Sequence, residues 1–118
     1  MSSENQNLEQ ILQMGIKAAK QGNRQGARVL FRQVLDDDNR NDRAWVWMAS
    51  VAENKTKQRQ YLETALRINP NNAAARKAVQ KMAASRSSSE QRTLMIGIVM
   101  ILVLLIVATL LCLVAVAA

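Results

Sequence analysis

Residues 94–118 read LMIGIVMILVLLIVATLLCLVAVAA. The run is 25 residues long and uncharged, and Thr109 and Cys112 are its only polar side chains. A bilayer core takes about 20 apolar residues as a helix, at roughly 1.5 Å of rise each. In hydrocarbon every backbone N–H and C=O needs a partner within the segment, which an unbroken helix supplies. The run has no proline and one glycine, Gly97. A soluble protein would have to wrap a large domain around so apolar a helix, and the roughly 90 mostly polar residues upstream are too few for that. The stretch therefore predicts a single membrane-spanning helix, and residues 1–93 are what it carries.

The flanks set an expected orientation. Arg86 and Arg92 precede the run and no charge follows it. Lys and Arg are retained on the cytoplasmic side, so a tail-anchored topology is expected, with residues 1–93 in the cytoplasm and a bacterial inner membrane as the setting. Met1 to Asn7 are polar and do not resemble a signal peptide.

All 16 Lys and Arg and all 9 Asp and Glu precede the apolar run, giving that part a net charge of +7. Such a balance favours acidic partners or an anionic leaflet, with a solvated surface as the ordinary alternative. Histidine is absent and the one cysteine lies in the apolar run, so no zinc set, disulfide or Cys–His pair can form within one chain. Asp36, Asp37 and Asp38 lack the spaced ligands of a calcium loop and are expected to be a solvated turn. No glycine loop suited to phosphate is present. Neither enzymatic activity nor a cofactor, metal or small-molecule substrate is expected.

Upstream of the run, apolar residues recur at helical spacing and strand signals are missing. Residues 1–7 are expected to be flexible, with Asn7 and Gln10 starting a first helix as a capping box. Leu8, Ile11, Leu12, Gly15, Ala18 and Ala19 recur along it, and Gly22 ends it in the left-handed conformation. A second helix runs from about Gln25 to Leu35, and the polar stretch Asp36 to Asn41 is a turn. A third spans Asp42 to Glu53. A fourth is capped by Thr56 and stops at Asn69-Pro70, and a fifth is capped by Asn72 and runs to about Ala84. Ser85 to Thr93 reads as a polar linker with a helix break, because serines compete for backbone groups.

The first four helices contain an internal repetition. Ile11, Met14 and Gly15 map onto Trp45, Met48 and Ala49 at an offset of 34, and Phe31, Val34 and Leu35 map onto Leu62, Ala65 and Leu66 at an offset of 31. A helix pair repeating every 34 residues or so has the period of tetratricopeptide repeats. Met14-Gly15, Gly22, Ala27, Phe31 and Asn39-Arg40-Asn41 resemble one repeat of that family. Trp45, Met48-Ala49, Leu62, Ala65 and Ile68-Asn69-Pro70-Asn71-Asn72 resemble a second. The chain departs from the family pattern at Val34, at Asn39 and in its short second internal turn. The resemblance implies an all-α domain over residues 8–84, two helical hairpins plus a capping helix, followed by linker 85–93 and membrane helix 94–118.

By the same resemblance, an inner groove for a partner helix would be lined by Leu12, Ile16, Ala19, Val46 and Ser50, with Glu9, Lys20, Arg43 and Glu53 at its edges. Ile11, Met14 and Trp45 are then expected in the core. Trp47 is expected either beneath the second helix or exposed as an interface anchor. Arg24, Arg28 and Arg32 form a ridge on the second helix that reads as a solvated face. Arg76, Lys77, Lys81, Arg86 and Arg92 are candidate contacts for lipid headgroups or an acidic partner. Gly97, Ala108, Cys112 and Ala115 share one stripe of the membrane helix, as close helix packing in lipid requires. Nucleic acid would want aromatics beside the charge and is not the expected partner.

Together these readings describe a non-catalytic scaffold, an accessory single-span subunit of an integral membrane complex whose partners are its other subunits and membrane lipids. The alternative is a free tail-anchored adaptor that recruits soluble proteins.

Overall fold

The structure is a computed structural model and describes residues 3–118. Every element among them is helical: α1 (Ser3–Lys20), α2 (Arg24–Asp37), α3 (Asp42–Ser50), α4 (Lys55–Ile68) and α5 (Ala73–Ala117). Residues up to Gln80 form one compact unit and Lys81–Ala118 a second. In the first unit α1 packs on α2, α2 on α3, and α3 on α4, so short turns join two consecutive helical hairpins.

The turns are made by asparagine and one glycine. Asn23, Asn41, Asn54 and Asn72 each accept a backbone N–H three residues ahead, capping α2, α3, α4 and α5. Gly22 has φ +84°, and the Gly22 and Asn23 N–H groups reach back to Ala19 and Ala18, closing the end of α1. Asn54 rather than Thr56 caps α4, which begins at Lys55. The first helix also begins earlier than the capping box at Asn7 suggests. Ser3 to Asn7 are its opening turns, where Glu4 suits the positive end of the dipole; Met1 and Ser2 lie outside the described residues.

Leu12, Ala27, Phe31, Val34, Ala44, Leu62, Ala65 and Ala75 are fully or almost fully enclosed. Phe31 sits where α1 and α2 approach most closely. A Cβ at Gly15 would lie 2.6 Å from its Cε1 and 3.3 Å from Leu30 Cβ. The other side of the Phe31 ring meets Trp47 of α3, with ring centroids 6.3 Å apart. Trp45 lies 5.7 Å from Tyr61 of α4 and donates its indole N–H to Asn39 O at 2.9 Å.

The third helix stops at Ser50, not Glu53. Val51 and Ala52 turn inward and are buried, and their carbonyls accept from Arg28 at 2.7 Å and Arg24 at 2.9 Å. Arg24 stays exposed and Arg28 is half-buried, so the expected solvated face also carries contacts to α3. Both arginines satisfy carbonyls that the end of a helix leaves without partners.

Ser85 to Thr93 are helical, so the expected break is absent. The hydroxyls that were expected to compete with the helix bond within it. Ser88 donates to Ser85 O, Ser89 to Arg86 O and Thr93 to Ser89 O, and Arg86 pairs with Glu90 at 3.5 Å one turn on. From Leu94 onward every side chain is exposed, and α5 is the one helix among the described residues long and apolar enough to cross a membrane. At 1.5 Å per residue its apolar part is about 36 Å long, against about 30 Å of hydrocarbon.

Gly15→Ala should lower stability by about 1–3 kcal/mol, because the added methyl forces α1 and α2 apart. Gly97 has nothing within 4 Å of its added Cβ, so Gly97→Ala should leave the melting temperature of the helical domain in detergent unchanged. Circular dichroism melts of both variants check the pair.

Candidate interaction surface

The groove expected between the first and third helices is only partly present. Leu12 is fully enclosed and Ile16 is 8% exposed, both within the core cluster. Met14, expected inside, is 58% exposed, while Ile11 and Trp45 are half-buried. The cause is the rotation of α1. Only its Leu12–Gly15–Ile16 face lets Phe31 approach, and placing Met14 inward would take Gly15 off that contact. Leu8, Leu12, Gly15, Ile16 and Ala19 already carry this in their spacing of four, three, one and three residues.

Ala19 and Val46 are half-buried and Ser50 is exposed. At 100° per residue, Arg43, Val46, Trp47 and Ser50 fall within about 100° of each other on α3, between buried Ala49 on one side and buried Ala44 on the other. Trp47 is the residue whose role the sequence left open. It is half-buried against Phe31, and its indole N–H makes no hydrogen bond among the described residues. One ring face is thus spent on the fold, and an unbonded donor remains at the surface.

Glu9 and Arg43 connect α1 to this face with an ion pair of 3.2 Å, each side chain about half exposed. They are separated by 34 residues, the repeat offset read above. Exposed pairs of this kind contribute about 0–1 kcal/mol, so its value is register rather than stability. The surface is a shallow strip, apolar at Val46 and Trp47 and charged at Glu9 and Arg43.

At the start of α3 lies a tighter polar cluster. The Asp42 carboxylate accepts amide N–H groups from Asn69 at 2.9 Å and Asn72 at 2.7 Å, tying the start of α3 to the α4–α5 turn. Partial burial raises the Asp42 pKa, but the Asn69 and Asn72 amides and the Asp42 and Arg43 backbone N–H groups outweigh it and hold the carboxyl below its ordinary 3.8.

The remaining candidates stand at the surface. Arg76 and Lys77 are exposed in the opening turns of α5, and Lys81, Arg86 and Arg92 are exposed further along it. Gly97, Ala108, Cys112 and Ala115 keep to an arc of about 60° on the apolar part of that helix and are exposed. Asp36 and Asp37 close α2 rather than forming a turn, and Asp38 Oδ1 accepts from the Arg40 N–H at 3.3 Å. An open depression of about 710 Å³ lies between Gly22–Gln25 and Ala52–Glu53. Its two guanidiniums, Arg24 and Arg28, are already engaged with backbone carbonyls.

The Asp42 cluster gives a pH test. A carboxyl whose folded pKa lies below its unfolded value stabilises the fold above about 3.8, and that contribution is lost as pH falls through the lower, folded value. Asp42→Asn should therefore cost about 1 kcal/mol at neutral pH, and the gap to the unmodified chain should close below 3.8. Urea unfolding of both chains from neutral pH downward measures it. Set against models of known families, curated proteins and solved structures, the chain finds no match.

Proposed function

We propose that this chain is a non-catalytic scaffold in which two tetratricopeptide-like hairpins, held at a membrane by the apolar part of α5, bind another protein. The observation that carries the reading is the pairing of two features in one chain. A compact helical-hairpin unit spends its polar groups on caps and turns, and a fully exposed apolar segment follows it. The 34-residue offset, recurring in the Glu9–Arg43 contact, supports the likeness to tetratricopeptide repeats. The exposed apolar segment supports a membrane-spanning role, and Arg86 and Arg92 on its near flank favour a cytoplasmic domain.

The binding strip is Val46, Trp47 and Ser50 on α3 with the Glu9–Arg43 pair beside it. This replaces a groove built on Leu12 and Ile16. A half-exposed tryptophan with an unbonded N–H is the kind of residue that anchors interfaces, and an amphipathic helix from an integral membrane partner suits the strip. In this reading the stripe Gly97, Ala108, Cys112 and Ala115 gives a second, intramembrane contact.

Tagged chain purified in mild detergent should bring fellow subunits with it. Val46→Ser combined with Ser50→Arg should release them at least tenfold while leaving the melting temperature nearly unchanged, since neither side chain is enclosed. Retention of partners by this variant excludes the strip. Purification with soluble proteins alone favours the adaptor role. Protease added to spheroplasts should leave the hairpin unit intact, and its digestion there reverses the orientation.

A further inference from the structure

We propose that the end of the hairpin unit formed by the α1–α2 and α3–α4 turns docks on anionic lipid headgroups. The proposal rests on the membrane reading above and adds to it a second point of contact. The Arg24 and Arg28 bonds to Ala52 and Val51 bring these two turns together at one end of the unit.

Charge is segregated there. Residues 17–28 and 50–59 hold seven cations and a single acid, Glu53. The other end mixes Asp36, Asp37, Asp38 and Asp42 with Arg40, Arg43, Arg67 and the first cations of α5, and is close to neutral.

Four of the seven cations have a place in the fold. Lys17 and Lys20 lie in the last turn of α1, where the helix dipole favours them. Arg24 and Arg28 hold the α3 carbonyls. Lys55, Lys57 and Arg59 have no such place. They occupy the opening turns of α4, the positive end of its dipole, with no acidic residue in the first turn, and among the described residues they make no ion pair. Stability alone would put Asp or Glu there. Cations held against the dipole are accounted for by an anion outside the chain.

That anion is a lipid surface for two reasons. The chain enters its apolar segment about a dozen residues after Gln80, a tether that keeps headgroups at high effective concentration. In addition, Phe31, Trp45, Trp47 and Tyr61 all lie outside the two turn regions, so the stacking platform a nucleic acid needs is missing. Lysines within a Debye length of a negatively charged leaflet gain from its surface potential, and the gain weakens as salt rises.

The test is lysine footprinting on the full chain, reconstituted in vesicles of phosphatidylcholine or of phosphatidylcholine with one third phosphatidylglycerol. A membrane-impermeant amine-reactive reagent reads each lysine by mass spectrometry. In the anionic vesicles, labelling of Lys17, Lys20, Lys55 and Lys57 should fall roughly threefold or more and recover in high salt, while Lys77 is unaffected. Lys55→Glu with Lys57→Glu and Arg59→Glu should abolish protection of Lys17 and Lys20, yet leave the melting temperature in detergent unchanged or raised, because it corrects the dipole. Equal, fast labelling in both vesicles overturns the docking and leaves the membrane reading standing. Slow labelling in both, insensitive to lipid charge, assigns this end to a protein contact and also overturns it. A chain that floats with neither vesicle overturns the membrane reading, and the docking with it.

Discussion

The contact of Phe31 with Gly15 on one side and Trp47 on the other is the constraint on which the hairpin unit depends. Phe31 is fully enclosed, and the absence of a side chain at Gly15 lets α1 come within reach of its ring edge. That approach fixes the rotation of α1, which sends Leu12 and Ile16 inward and Met14 outward. It also fixes α2, whose preceding turns carry Arg24 and Arg28 to the end of α3. Trp47 then closes the far face of the ring, so the second hairpin is registered on the first through one aromatic side chain. Interiors pack at crystal-like density, and a change in volume at such a point is transmitted rather than absorbed.

Two helical hairpins bury little core for their surface. This chain meets the shortage with polar links at its boundaries. Four asparagine caps remove the orphan donors of four helix starts. Asp42 accepts from two amides of the α4–α5 turn, so the second hairpin closes on itself and onto the start of α5. Two guanidiniums close the α3 end. Charge-assisted hydrogen bonds of this kind are worth more than neutral ones.

The all-helical class, the order of elements and the left-handed Gly22 were legible because they depend on local pattern. Of the residues equated at an offset of 31, Phe31, Val34 and Leu35 are buried, as are Leu62 and Ala65, with Leu66 half-buried. At an offset of 34, Ile11 and Trp45 are both half-buried and Gly15 and Ala49 both buried, but Met14 is exposed where Met48 is buried. Pairwise equivalence assumed a symmetric environment, but α3 packs on both α2 and α4, whereas α1 packs chiefly on α2. The contacts of the arginines were missed for a related reason. Their spacing of four describes a ridge on an isolated helix, and nothing in α2 records that a neighbouring helix ends beneath it. The serine stretch was misread because intrinsic preference counts a serine hydroxyl as a competitor, although the same hydroxyl can bond back to a carbonyl one turn earlier.

A helix that leaves water along Ser85–Thr93 and is apolar enough to cross a membrane beyond Leu94 has to suit two solvents. In water an exposed helix competes with solvent for its own backbone groups, and the serine segment has no tertiary contacts to offset this. Its hydroxyls are instead taken up by carbonyls of the same helix, and Arg86 pairs with Glu90 one turn on. In hydrocarbon the requirement is stricter, since a hydroxyl without a partner costs several kcal/mol there. Thr109, the one hydroxyl in the apolar run, donates to Ile106 O at 2.8 Å, so it presents no unsatisfied donor outward. The back-bonding seen at Ser88, Ser89 and Thr93 thus recurs at Thr109, where it satisfies the hydroxyl without water. A single helix can therefore pass from one solvent to the other without a break, because its polar side chains find their partners on the turn before them.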